Sequence, residues 1–96
     1  MEIFVYVLQS ESFDIRYVGM TINLLNRLEE HNKGKSKFTA TYRPWKIIYF
    51  EMAQDRAAAR KREKYLKSNA GRVFISKLIE NGHIPFTDEI QGSPPV

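Results

Sequence analysis

Hydrophobic spacing along this chain changes character twice. Ile3 to Gln9 is an almost unbroken apolar run of β-branched and aromatic residues, too short for an independent helix, and predicts a central strand. Ser10 to Asp14 breaks it with polar residues. Ile15 to Gly19 then alternates enough to form a second strand, so the two make a hairpin with a loop of about five residues. With the hairpin centred near Ser12, Tyr6 and Tyr17 fall nearly opposite each other on one face of the sheet.

The pattern then turns helical. Leu24, Leu28 and His31 follow i, i+4, i+7 spacing behind two N-cap candidates, Thr21 and Asn23, and Asn32-Lys33-Gly34 is a stop signal. Arg27 borders that stripe, so Arg27 and His31, one turn apart, are expected to share the rim of the helix facing the sheet. Lys35 to Pro44 reads as a basic loop and Trp45 to Met52 as a third strand. A helix rich in Ala, Arg, Lys and Glu is predicted from Asp55 to about Ser68, and a shorter one from Gly71 to Ile79, ending at Gly82. Residues 83–96 are polar, contain three of the four prolines and are expected to form a loosely attached tail, which leaves 1–82 as the folded domain. These elements give an α+β chain in the order β-β-α-β-α-α.

Length and composition narrow the classes. A single domain of 96 residues buries only about 60–65% of its unfolded surface, and with no cysteine it has no disulfide or thiolate metal site to compensate. No apolar run approaches the roughly 20 residues of a membrane span, and no signal peptide is recognisable, so the chain is expected to be cytoplasmic and not a membrane partner. The net charge of +4 is unevenly distributed. Between Lys33 and Lys77 there are thirteen Lys or Arg against Glu51, Asp55 and Glu63, a local +10, while each flank carries −3. Such a basic band is the electrostatic footprint of a polyanion partner. A nucleic acid is the polyanion such a band suits, with Lys35, Lys37, Thr39, Arg43, Arg60 and Lys67 as the candidate phosphate contacts.

Five residues carry candidate chemistry. Ala59, Glu63 and Leu66 follow i, i+4, i+7, which puts a carboxylate on the helix face that meets the sheet. A charge in that position needs a partner, either a neighbouring Lys or Arg or a hard divalent cation such as Mg²⁺, which often takes only one or two protein carboxylates. Arg27 suits the charge that builds on the non-bridging oxygens of a phosphodiester, and His31 titrates near neutrality and can accept a proton. Tyr6 and Tyr17 are each ordinary strand aromatics, yet two phenols facing one cation-lined pocket can relay a proton.

In this combination the chain resembles the GIY-YIG endonucleases, especially small stand-alone members and the N-terminal nuclease domain of the bacterial excision-repair endonuclease. The resemblance runs from about Phe4 to Ile79. It rests on Val5-Tyr6-Val7, Tyr17-Val18-Gly19, Arg27, His31 and Arg62-Glu63-Lys64, together with Gly34-Lys35-Ser36-Lys37-Phe38-Thr39 and Arg43-Pro44-Trp45-Lys46. The first motif lacks its glycine. The resemblance implies an α+β fold with a small three-stranded antiparallel sheet flanked by helices, and DNA cleavage with one Mg²⁺ or Mn²⁺ ion held by Glu63, Tyr6 as general base or proton relay and Tyr17 orienting water or phosphate. Arg27 would stabilise the transition state and His31 would assist deprotonation. It also implies a role in DNA repair or recombination, in which either the basic band does all the substrate holding or a targeting protein partner delivers the substrate. A non-catalytic nucleic-acid-binding module and a repair-protein interaction domain are the rival classes for the same scaffold.

Overall fold

The computed structural model describes residues 2–82, so the expectation for the 83–96 tail lies outside the described residues. Seven elements follow in order: β1 (Ile3–Ser10), β2 (Arg16–Thr21), α1 (Leu24–Asn32), α2 (Lys37–Thr41), β3 (Trp45–Ala53), α3 (Arg56–Lys67) and α4 (Asn69–Glu80). The sheet is antiparallel throughout, with strand order β2-β1-β3. The central place of β1 explains its unbroken apolar run, because both of its faces are covered.

Alternation along β1 divides the core in two. Ile3, Val5 and Val7 face Ile48 of β3, Ala59 and Leu66 of α3, and Ile75 of α4. Tyr6 and Leu8 face the other way, onto Leu24 and Leu28 of α1 and onto Trp45 and Ile47 of β3. Ile47 and Ile48 serve opposite layers by ordinary strand alternation, whereas consecutive Ile48 and Tyr49 share one layer because the β1–β3 register shifts between Val7 and Leu8, where Val7 pairs with Tyr49 but Leu8 with Ile47. Burying each such side chain contributes about 1.5–3 kcal/mol.

Local signals set the helix boundaries. Of the two cap candidates, Asn23 is the N-cap of α1, its side chain accepting from the Asn26 amide at 3.1 Å, while the Thr21 hydroxyl braces Asn23 from outside the helix. Gly34 follows the end of α1 at φ +82°, a left-handed conformation suited to glycine. Asp55 caps α3 and Ser68 caps α4. Between α3 and α4 the chain turns so tightly that a Cβ on Gly71 would lie 2.2 Å from the Tyr65 carbonyl oxygen and 2.5 Å from the Leu66 Cα.

One element departs from the sequence expectation. Lys35 to Pro44 is not an extended basic loop, because Lys37–Thr41 coils into α2. Tertiary capture drives it: Thr39 is fully buried, and its carbonyl accepts the indole N–H of Trp45 at 2.7 Å. A five-residue helix with one buried position has no apolar periodicity to read.

Candidate active site

The two phenols are brought onto one face by strand pairing, though diagonally. Tyr6 pairs with Gly19, while Tyr17 pairs with Leu8, so the tyrosines are displaced by two residues along the strands from the nearly opposite arrangement expected. Diagonal neighbours on one face still lie within reach of aromatic side chains, and the ring centroids are 6.3 Å apart. Gly19 makes this approach sterically feasible. A Cβ there would lie 2.6 Å from the Tyr6 hydroxyl, 2.8 Å from Tyr6 Cζ and 3.0 Å from Tyr17 Cε2. Its backbone is not in the left-handed region, so the position calls for glycine by volume alone.

His31 projects from the last turn of α1 beneath these rings and has no exposed surface. Its Nε2 lies 3.0 Å from the Tyr6 hydroxyl and its Nδ1 lies 2.8 Å from Thr39 Oγ1. Thr39 in turn donates its hydroxyl proton to the Ser36 carbonyl, at 3.4 Å. Thr39 must therefore accept from Nδ1–H, which leaves Nε2 as the acceptor for the Tyr6 hydroxyl. A directed chain results: Tyr6 O–H to His31, His31 N–H to Thr39, Thr39 O–H to the backbone of Ser36. The edge of Tyr17 closes over the imidazole with centroids 4.9 Å apart.

Burial makes both titrating members of this chain reluctant to ionise. The His31 pKa is lowered to about 4, first by burial and then by the neighbouring Arg27 charge, so the ring is neutral at physiological pH. The Tyr6 pKa is raised to about 12, first by burial and then by Tyr17 and Glu63, against an opposing pull from Arg27. Arg27 thus stands at the rim as the cation nearest the phenol. Burial alone would lower its own pKa, but hydrogen bonding to Glu30 at 3.0 Å and to Tyr6 raises it on balance.

Glu63 approaches from α3 and is the carboxylate whose field reaches Tyr6. Ala59 and Leu66, on the same stripe, are buried, and the Glu63 side chain is 22% exposed. Lys67, one turn on, is paired with Glu63 Oε2 at 3.3 Å, so the cation expected to hold DNA is engaged with this carboxylate. Among the described residues no group of three or more His, Cys, Asp or Glu could enclose a metal. A solitary, partly buried carboxylate fits an ion such as Mg²⁺ or Mn²⁺, which keeps most of its positions for water and substrate oxygens, rather than an all-protein cage.

The expected phosphate contacts divide. Lys35, Lys37, Arg43 and Arg60 are exposed, with the Arg43 guanidinium lying against Gly34. Thr39 is corrected: it has no exposed surface, and its hydroxyl is committed to His31 and Ser36, so it acts inside the domain. Sequence reasoning passed over this support role because Thr39 sits in a segment read as a loop. It also passed over a second polar cluster on the other layer, where Arg62 forms a two-pronged pair with Glu51 at 2.6 and 3.0 Å and the Tyr49 hydroxyl donates to Glu51 at 2.7 Å. That cluster fixes α3 against β3 and so holds Glu63 in place.

Comparison with known proteins accounts for the layout. The family model described as the GIY-YIG catalytic domain matches residues 2–76. The chain belongs to the GIY-YIG family. It is similar to a UPF0213 protein of Syntrophus aciditrophicus, 38% identical over 80 residues that cover 81% of this chain and 91% of that one. A UPF0213 protein of Listeria monocytogenes is 43% identical over 80 residues, 82% of this chain and 88% of its own. The solution NMR structure of a UPF0213 protein from Bacillus halodurans superposes with a TM-score of 0.53 at 22% identity, covering 93% of this chain and 94% of that one. That likeness supports the same three-stranded α+β fold. Within this GIY-YIG domain, no helix among the described residues is long and apolar enough to cross a membrane.

Proposed function

We propose that this GIY-YIG domain is a divalent-metal-dependent DNA endonuclease that hydrolyses phosphodiester bonds in repair or recombination. The observation that carries the reading is the buried hydrogen bond between Tyr6 and His31, with Tyr17 and Arg27 around it and the Glu63 charge acting on the same phenol.

Glu63 would hold Mg²⁺ or Mn²⁺, which when bound neutralises phosphate charge and, as a cation near the phenol, favours its ionisation. Arg27 binds the non-bridging oxygens of the scissile phosphate and stabilises the charge that grows there. Tyr6 removes a proton from the attacking water as its own proton passes to His31 Nε2. With pKa values of about 12 and about 4, that transfer is uphill in the free protein. An anionic phosphate bound at Arg27 raises the imidazole pKa and so eases the transfer once substrate is in place, and a cation held by Glu63 would lower the phenol pKa in the same sense. Tyr17 packs on the imidazole edge and orients water or phosphate. Exposed Lys35, Lys37, Arg43 and Arg60 hold the DNA backbone.

The test is cleavage of branched and nicked DNA with Mg²⁺ by wild-type protein and by Glu63→Ala. Loss of cutting with retained DNA binding supports the reading. Equal cutting overturns it, and binding without cutting by the wild type would favour a non-catalytic module.

A further inference from the structure

An aromatic track leaves the candidate active site along α2. Tyr17, beside His31, has its ring centroid 6.4 Å from that of Phe38, and Phe38 lies 5.2 Å from Tyr42. Phe13, in the β1–β2 loop, meets Tyr42 edge-on at 5.3 Å and buttresses it. Phe38 is 50% exposed although it is large and apolar. A half-bare phenylalanine on a five-residue helix forgoes much of its burial energy, and neither the core nor the proposed chemistry uses it.

The charge around the track specifies what fits. From His31 to Phe50 the sequence has five Lys or Arg and no acidic residue. Lys37 precedes Phe38 and Arg43 follows Tyr42; both are exposed, and neither forms an ion pair among the described residues. Glu11 and Asp14 flank Phe13, so the positive stretch runs from α2 to Tyr42 and stops there. Exposed Phe38 and half-buried Tyr42, interleaved with cations, make a surface that takes unpaired nucleotides, because every base has a face to stack while the cations follow the backbone. A base pair in a duplex hides those faces, and an apolar protein segment would leave the cations without a counterpart.

We propose that Phe38 and Tyr42 form a stacking platform for about two unpaired bases of a DNA strand, placing the adjoining phosphodiester over Tyr6 and Tyr17. The proposal rests on the nuclease reading and adds the substrate class to it: DNA with a single-stranded segment next to the scissile bond.

Binding measured in chelator separates this proposal from cleavage. Fluorescence anisotropy of a labelled thymidine 12-mer and of a duplex of equal length is compared for the wild type, Phe38→Ala and Phe38→Trp, each checked for a wild-type melting curve. Phe38→Ala is expected to weaken single-strand binding about tenfold and duplex binding less than twofold, with Phe38→Trp near the wild type. Equal weakening of both ligands by Phe38→Ala, or unchanged single-strand binding, overturns the platform. If Glu63→Ala cuts like the wild type but Phe38→Ala selectively loses the single strand, the nuclease reading falls and the platform stands.

Discussion

The Tyr6 hydroxyl and the His31 Nε2 atom lie 3.0 Å apart where both rings are all but sealed from water, and the proton between them belongs to the phenol. Thr39 keeps it there by accepting from the opposite ring nitrogen. The pair is therefore a poised donor and acceptor, fixed in direction before any substrate arrives.

Thr39→Val tests that support. Valine keeps the volume but leaves the buried Nδ1–H without an acceptor, so unfolding free energy should fall by about 1–3 kcal/mol in urea titrations. DNA affinity should stay within about twofold, since the residue is internal, while cleavage drops as the ring loses its fixed tautomer.

Acid should weaken the fold in a window set by His31. Its pKa is lowered from 6.5 to about 4 on folding, so the unfolded chain binds more protons between those values and stability is lost as pH falls from 6.5 toward 4. Above pH 6.5 this contribution is fully present, and across the window it amounts to roughly 3 kcal/mol. Urea midpoints measured from pH 7 downward should decline for the wild type and decline less for His31→Gln, whose side chain does not titrate. Parallel curves for the two proteins would exclude His31 as the source.

Gly19→Ala places a methyl group against both phenols. Its contacts of 2.6, 2.8 and 3.0 Å fall on tyrosine rings hemmed in by the sheet and α1, which cannot swing away freely. Overpacking of this kind costs about 1–3 kcal/mol. The larger effect falls on catalysis, where a displacement of about 1 Å is enough to lower the rate by about 100-fold. Single-turnover cleavage should show that fall while DNA affinity changes little.

Lys67→Ala removes the ammonium paired with Glu63. Exposed pairs of this type are worth about 0–1 kcal/mol, so Mn²⁺ binding followed by calorimetry should tighten by up to about fivefold. Glu63→Gln should abolish that binding. A weaker Mn²⁺ affinity in Lys67→Ala would show that the ammonium does not compete with the ion.

The sheet and both long C-terminal helices were legible because their patterns are long. Ile3 to Leu8 reads as a strand covered on both faces, and the helical spacing of Leu24, Leu28 and His31 put the imidazole on the sheet-facing side of α1, where it is fully buried instead of sharing the rim with Arg27. Hairpin centring, by contrast, is set by loop geometry between Ser10 and Ile15, which moved Tyr17 opposite Leu8 rather than Tyr6. Helix α2 and the inward turn of Thr39 depend on the indole of Trp45 and the ring of His31, contacts that no local pattern encodes. The Arg62–Glu51 pair joins residues 11 apart in sequence across a strand and a helix, and in the sequence Arg62 is one cation among many.

The missing side chain at Gly71 turns the back of the molecule into a lever on its front. Its Cα abuts the backbone of Tyr65 and Leu66, one turn beyond the carboxylate on the same helix, so even an added methyl must wedge α3 and α4 apart. The sheet would keep its phenols where they are while the helix bearing Glu63 tilted away from them. One small change on the face turned away from the tyrosines would thus part the carboxylate from the phenols.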